Sequence, residues 1–349
     1  MGGYQVISPA PRGRWRALLA EDPDALPTQA PEAIDAMCAR SWWRDASRLY
    51  TTGEGRAFVL PMVRLGPAGP LAMEASPRHG WGYGGIVAPG GVTLADLDIV
   101  ARDLAAHRVL RRTMRPNPIQ VEAWRNFTGM QRVASDAHVI DLAPGLDVVY
   151  KGFNRNARRN LKIAEQAGVA VEIDRTGRLL DEFFDLYNLS RARWAHQQHE
   201  PQLLARIRYG RQDPVKKWRQ ISGHLGPQCA VMIARVGTRP AAGGIILFSQ
   251  NAHFTRAAMD LEIAGPSRAT DALEWEAIKE SCAVGARWYQ MGHSSSPGVS
   301  AFKERFGAVR VDYDEFVAER LPVTRLDKLL RSAVKRFVRF DADATGPPA

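Results

Sequence analysis

Apolar and polar positions in the second half of the chain alternate between helical and strand spacing. "LLDEFFDLYNLSRARWAH" repeats apolar residues at intervals of three and four and predicts a helix. "QCAVMIARVG", "AAGGIILFSQ" and "AHFTRAAMD" predict three successive strands with short turns, an antiparallel meander. "SRATDALEWEAIKESCAVG" predicts a helix with Ser267 as its cap and Gly285 as its stop. "ARWYQMG" follows as a strand, "SAFKERFG" as a short helix and "AVRVDYDEFVA" as a final strand. In the first half, a helix is expected near Pro31 to Ala36. "SRLYTTG" and "RAFVLPMVRLG" form a strand pair around Gly53-Glu54-Gly55. "GWGYGGIVAPGG" marks backbone that approaches something closely, and "TLADLDIVARDLAAHRVL" is an amphipathic helix starting at Thr93. "NPIQVEAWRNF" and "AHVIDLA" close this half.

One segment is patterned by charge. In "KGFNRNARRNLKIAEQAGVAV", a helix from about Phe153 puts Arg155, Arg158, Arg159 and Lys162 at offsets of 0, 3, 4 and 7, on one face. Phe153, Ala157, Leu161 and Ala164 fall on the opposite, packing face, and Gly168 stops the helix. Like charges on adjacent turns cost a few tenths of a kcal/mol per pair, so the arrangement asks for an anion.

Composition sharpens that question. The chain has 349 residues, a length that suggests two domains, with 45% hydrophobic and 24% charged residues, as in a protein with a real core. Net charge is +10 and pI about 9.8, which favours a polyanionic partner such as nucleic acid, a membrane surface or a phosphate-rich ligand. An arginine-rich bulk composition gives the same totals. Cys38, Cys229 and Cys282 are far apart, lack metal-ligand spacing and fit a reducing, cytoplasmic compartment. No apolar run is long enough for a signal peptide or a membrane span.

Helix, three-strand meander, helix, strand, helix, strand is the element order of an N-acetyltransferase-type α/β fold, and the first half is a looser copy in element order. "FNRNARRNLKIAEQAGVAVE" resembles the basic helix and following strand that link the halves of Fem-type peptidyltransferases. "SSSPGVSAFKERFGAVRVDY" resembles their C-terminal Phe-Lys motif followed by Phe-Gly. "GYGGIVAPGG" and "AAMDLEIAGPSRATDALEWEAI" resemble related acetyltransferase-like segments, so the likeness runs from about Tyr83 to Phe316.

The resemblance implies two tandem GNAT-like domains, each a mixed, mostly antiparallel sheet flanked by helices, with a cleft between them. The expected divisions are residues 1–147, residues 148–320 with the Phe-Lys motif, and a basic amphipathic helix and tail at 321–349. It also implies transfer of an aminoacyl group from aminoacyl-tRNA to the amine of a small molecule or peptide, in secondary-metabolite or cell-wall precursor synthesis. The expected protein is a monomer with no cofactor, no metal and no stable membrane insertion. An acyl-CoA-dependent N-acyltransferase on the same fold is the alternative. Against it, "LEIAGPSRAT" has one glycine followed by proline where a pyrophosphate-cradling loop needs several backbone donors. A non-catalytic relative is a third reading.

By the resemblance, Phe302 and Lys303 match the catalytic pair, with Lys303 stabilising the oxyanion of ester aminolysis. The plain alternative is a surface lysine flanked by core anchors Phe302 and Phe306. Asp260, at the end of the third meander strand, is the best base, or else a turn cap. Arg191, Arg193 and Trp194 on the preceding helix, with Tyr83 in the first half, are the expected substrate-binding residues. The arginines also fit a solvated face. Arg155, Arg158, Arg159 and Lys162 form a tRNA backbone track, or an ordinary solvated face. "TRLDKLLRSAVKRFVRF", with Arg331 and Lys335, presents cations to tRNA or to an anionic membrane. His196, His199, His224, His253 and His293 lack metal-ligand spacing, and "GHSSS" is no nucleophile elbow.

Overall fold

The computed structural model describes residues 3–39 and 41–321, so Arg331, Lys335 and the rest of the C-terminal basic segment lie outside the described residues. In chain order the elements are β1 (Tyr4–Ile7), α1 (Arg12–Glu21), α2 (Pro31–Cys38), β2 (Trp43–Asp45), β3 (Arg48–Thr52), β4 (Ala57–Leu60), β5 (Val63–Leu65), β6 (Met73–Ser76), α3 (Leu94–Ala106), β7 (Arg111–Met114), α4 (Val121–Trp124) and β8 (Gln131–Asp141). There follow α5 (Leu146–Gly152), α6 (Arg155–Gln166), β9 (Val169–Asp174), α7 (Leu180–Gln197), α8 (Gln202–Gln212), α9 (Val215–Leu225), β10 (Cys229–Val236), β11 (Arg239–Phe248) and β12 (Ala252–Met259). The chain continues through α10 (Leu261–Ser267), α11 (Ala269–Ala283), β13 (Trp288–Gly292), α12 (Pro297–Arg305) and β14 (Val309–Glu319). Two compact units result. Among described residues the first holds 3–137, 249–251 and 311–321, and the second holds 138–248 and 252–310.

In the first unit, β3 and β4 form the expected hairpin, with Leu49 opposite Val59 and Gly55 at φ 84° in the turn. The following apolar run is not one strand. Pro61 lacks an N–H, and the run splits there into β4, which joins a small sheet with β3 and β1, and β5, which pairs with β6. Thr93 caps α3 in a capping box with Asp96. The glycine-rich stretch is a close backbone approach: a Cβ on Gly84 would meet the Ser76 carbonyl carbon at 2.7 Å. Trp15, Tyr50, Phe58, Phe127 and Phe316 are fully buried in this unit.

In the second unit, β9, β10, β11 and β12 run antiparallel, with Val231 opposite Ile245 and Gly243 opposite Ala258. A Cβ on Gly244 would sit 2.6 Å from the Phe254 ring, so glycine at this position lets Phe254 fill the core. On that face Phe153, Ala157 and Ala164 from the α5–α6 region pack with Leu273, Tyr289 and Phe306. Helix α6 begins at Arg155 and not at Phe153. Asn154 accepts from the Ala157 amide at 2.9 Å, and Phe153 stays extended while its ring packs on Phe306 and Trp275. Gly168 (φ 67°) follows its end as expected.

Three features differ from the sequence reading. Helices α8 and α9 fill the stretch before the meander, which the reading left unassigned. Ser267 does not cap α11. Its hydroxyl donates to the Ile263 carbonyl at 2.6 Å inside α10, and Arg268, in the left-handed region at φ 54°, starts α11 instead. The closing strand β14 leaves the second unit at Val311, where it enters the first.

The repeat in element order has a structural counterpart. In the first unit β5–β6 is antiparallel, β6–β7 is parallel with α3 between them in sequence, and β7–β14 is antiparallel. In the second unit β11–β12, β12–β13 and β13–β8 repeat that order, with α10 and α11 between the parallel strands.

Candidate active site

The two parallel pairs differ in one respect. All four residues of β6 stay paired with β7, from Met73–Arg111 to Ser76–Met114. In the second unit β12 and β13 pair only at Ala252–Tyr289 and His253–Gln290, at the start of an eight-residue strand. Beyond His253 and Gln290 the strands part. Their C-terminal ends form an opening whose walls carry backbone N–H and C=O groups not used in a β12–β13 ladder, and such edges accept an extended ligand.

Lys303 is fixed at the β13 side of this opening. It is not a surface lysine: it is 7% exposed, and its Nζ donates to the Gly292 carbonyl at 2.8 Å and the His293 carbonyl at 2.9 Å. Helix α12, capped by Ser296, delivers the side chain there. Phe302, one residue earlier, packs partly buried on Phe306 with the Arg305 guanidinium 5.1 Å above its ring, which anchors the helix to the core. Gln290 is fully buried at the vertex; its Oε1 accepts from the Gly292 amide, and its Nε2 has no partner among the described residues.

Two polar groups that the sequence does not single out pack along β13, Glu274 near its start and His138 beside Gly292. Glu274 on α11 is buried, and Tyr289 donates to its Oε1 at 2.6 Å. Burial pushes the Glu274 carboxyl up to about 7, opposed by the Tyr289 hydrogen bond and the Lys303 charge. His138, at the end of β8, is fully buried; its Nδ1 lies 3.1 Å from Ser294 Oγ and its Nε2 lies 3.0 Å from Ser300 Oγ. Ser300 in turn donates to Glu304 at 2.8 Å.

The β12 side holds the remaining second-unit candidates. Asp260 follows β12 and accepts from the Glu262 amide at 3.0 Å, which makes it the cap of α10. Arg193 reaches the Met259 carbonyl at 3.4 Å, and burial, partly offset by Asp260, lowers its pKa. Arg191 is turned elsewhere: it donates to the Asp213 carbonyl at 2.7 Å and stacks 4.1 Å over Tyr187. Trp194 packs edge-on against Tyr187. The Asp213 carboxylate, also missed, is buried and accepts from Lys217 at 2.8 Å, Trp218 at 3.0 Å, Tyr187 at 3.1 Å and Arg256. Despite its burial, the Arg256 and Lys217 cations bring its pKa down to about 2. Asp213, Lys217 and Trp218 are close in sequence, but Tyr187 and Arg256 reach Asp213, and His138 reaches Ser294 and Ser300, only in the fold.

Tyr83 belongs to the first unit, where it is buried against Tyr313 and its carbonyl accepts from Thr28 at 2.6 Å. On α6, Arg155, Arg159 and Lys162 are exposed, and Arg158 is half-buried with a bond to the Lys151 carbonyl at 3.2 Å. Among the described residues no group of three His, Cys, Asp or Glu is placed to hold a metal, and no helix is long and apolar enough to cross a membrane.

A family model described as acetyltransferase (GNAT) domain matches residues 151–304, from the basic helix to just past Lys303. No curated protein matches the sequence. A crystal structure of FemX is similar at TM-score 0.67 and 12% identity, covering 92% of this chain and 99% of that one. A conserved protein of unknown function from Bacteroides thetaiotaomicron is similar at TM-score 0.54 and 10% identity, covering 91% of this chain and 99% of that one. The chain therefore has a Fem-like tandem GNAT fold, with its acetyltransferase-type domain in the second half.

Proposed function

We propose that the protein is an acyltransferase that moves an aminoacyl group from an aminoacyl-tRNA to the amine of a small molecule or peptide, forming an amide. The observation that carries this reading is the Phe302–Lys303 pair, held with the lysine ammonium buried beside the β12–β13 opening. The amine attacks the ester carbonyl, negative charge builds on its oxygen, and the fixed Lys303 cation stabilises that charge. Holding the cation in place beforehand avoids reorganisation as the charge forms.

The donor is inferred from charge and from the start of α11. The α6 face carries Arg155, Arg159 and Lys162 in the open and fits a nucleic-acid backbone. At the start of α11, where a coenzyme A pyrophosphate needs open backbone donors, the first turn carries the buried Asp271, which accepts from Asn160 at 3.0 Å. A carboxylate there disfavours an anion. The second reading, an acyl-CoA-dependent N-acyltransferase, is favoured by the acetyltransferase description of the matching domain. Acceptor synthesis for secondary metabolites or cell-wall precursors, in the cytoplasm, fits the first reading. The test is incubation with an aminoacyl-tRNA pool, each amino acid labelled in turn. Label reaching an amine acceptor in a ribonuclease-sensitive way supports the proposal; label transferred equally after ribonuclease treatment rejects it.

A further inference from the structure

His138, Ser294, Ser300 and Glu304 form a hydrogen-bonded chain whose proton order can be deduced. Glu304 is half exposed at the outer end, at 52%, and its pKa is lowered chiefly by the bond from Ser300, so it is an acceptor only. The 2.8 Å contact from Ser300 Oγ to Glu304 Oε1 therefore uses the single serine proton. His138 Nε2–H then faces two acceptors, Ser300 Oγ at 3.0 Å and, farther off, Glu304 Oε1 at 3.5 Å. In the neutral imidazole that leaves Nδ1 as an acceptor, facing Ser294 Oγ at 3.1 Å. Every donor in the chain points the same way, from Ser294 towards Glu304. Ser294 follows His293, whose carbonyl holds Lys303 Nζ.

We propose that Ser294, His138, Ser300 and Glu304 form a proton relay that strips the attacking ammonium of one proton and delivers it to solvent. This rests on the proposed aminoacyl transfer, and it supplies a proton acceptor other than Asp260, whose carboxylate caps α10. An amine acceptor enters as R–NH3⁺, so amide formation from an ester releases one net proton. The ammonium gives that proton to Ser294 Oγ as the Ser294 proton passes to His138 Nδ1. The Nε2 proton passes to Ser300, and the Ser300 proton passes to Glu304 and then to water. The neutral amine uses its lone pair to form the N–C bond. The ester C–O bond breaks, and the remaining transferable amine proton goes to the leaving oxygen. His138 faces Glu304, with Arg310 beside that carboxylate, as charged neighbours.

The test has two arms on the full chain. Imidazole ¹⁵N spectra of the wild type should show His138 as the Nε2–H tautomer, and an Nδ1–H tautomer overturns the relay whatever the activity. The second arm measures single-turnover transfer to the dipeptide Ala-Ala, whose amino group titrates near pH ~8. Ser294→Ala and His138→Gln should slow transfer by about 10²-fold at pH 6.5, as for loss of a general base. The loss should shrink towards unity above about pH 9, where the amine is already neutral. A residue that only positions α12 gives the same loss at every pH, and that result overturns the relay while leaving the transfer reaction standing. A wild type that transfers nothing to the dipeptide or to a panel of free amines overturns the reaction itself, and the relay with it. Ser294→Ala, a half-exposed loop change, keeps the test available if His138→Gln fails to fold.

Discussion

Lys303 Nζ lies 2.8 Å from the carbonyl oxygen of Gly292, the last residue of β13. A lysine kept at 7% exposure must have its polar head satisfied, and the carbonyls of Gly292 and His293 do this. The same contact fixes the ammonium beside the opening between β12 and β13. Lys303→Met keeps the stem and removes the charge. Turnover should fall by about 10²–10³ while donor affinity stays within a few fold, because the interaction matters most in the transition state. Single-turnover rates and donor binding check this. A rate within about threefold of wild type removes Lys303 from the mechanism.

Glu274 makes stability depend on pH. Its carboxyl is raised from 4.5 to about 7 by burial, so the folded chain holds a proton that the unfolded chain has lost across that window. The contribution is complete below about pH 4.5 and is lost as pH rises through 7. Glu274→Gln keeps the acceptor for Tyr289 and removes the titration. The variant should be more stable than wild type at pH 8, by up to roughly 3 kcal/mol, and nearly equal to it at pH 4.5. Calorimetry at both pH values checks this; an equal difference at each contradicts it.

Asp213 acts with the opposite sign. Its pKa falls from 3.8 to about 2 because Arg256 and Lys217 outweigh burial. Its stabilisation is present above about pH 3.8 and is lost as pH falls towards 2. Asp213→Asn should cost roughly 2–3 kcal/mol at pH 7, with the gap to wild type closing in acid. Urea titrations at several pH values measure that gap.

Arg155, Arg158 and Arg159 changed together to Gln should flatten the salt dependence of tRNA binding. The slope of log affinity against log salt should fall by roughly 2–3 units, about one per lost phosphate contact. Thermal stability should hardly change, since the face is largely exposed. An unchanged slope returns the helix to an ordinary solvated face.

Local periodicity carried the fold further than it carried the site. The meander, α3 with its Thr93 cap and the basic α6 were legible because their signals lie within one element. The β4–β5 break at Pro61 is absent from the sequence reading, which takes "RAFVLPMVRLG" as one strand. Lys303 stands out in the sequence only through the family resemblance of its Phe-Lys segment, and its burial is not legible there, because Gly292 and His293 hold it through backbone carbonyls that no side-chain pattern reports. His138 and Ser300 are 162 positions apart and meet only when β8 and α12 come together. Asp260 shows the opposite limit: its place after a strand was readable, while its bond to the Glu262 amide needed the fold.

The central claim is the nature of the donor, and a head-to-head single-turnover assay tests it most directly. The protein is mixed with one amine acceptor and either a labelled aminoacyl-tRNA pool or labelled acetyl-CoA at equal concentration, and amide product is followed with time. The account predicts product from the aminoacyl-tRNA, abolished by ribonuclease and slowed by Lys303→Met, with none from acetyl-CoA. Product from acetyl-CoA and none from aminoacyl-tRNA would contradict it.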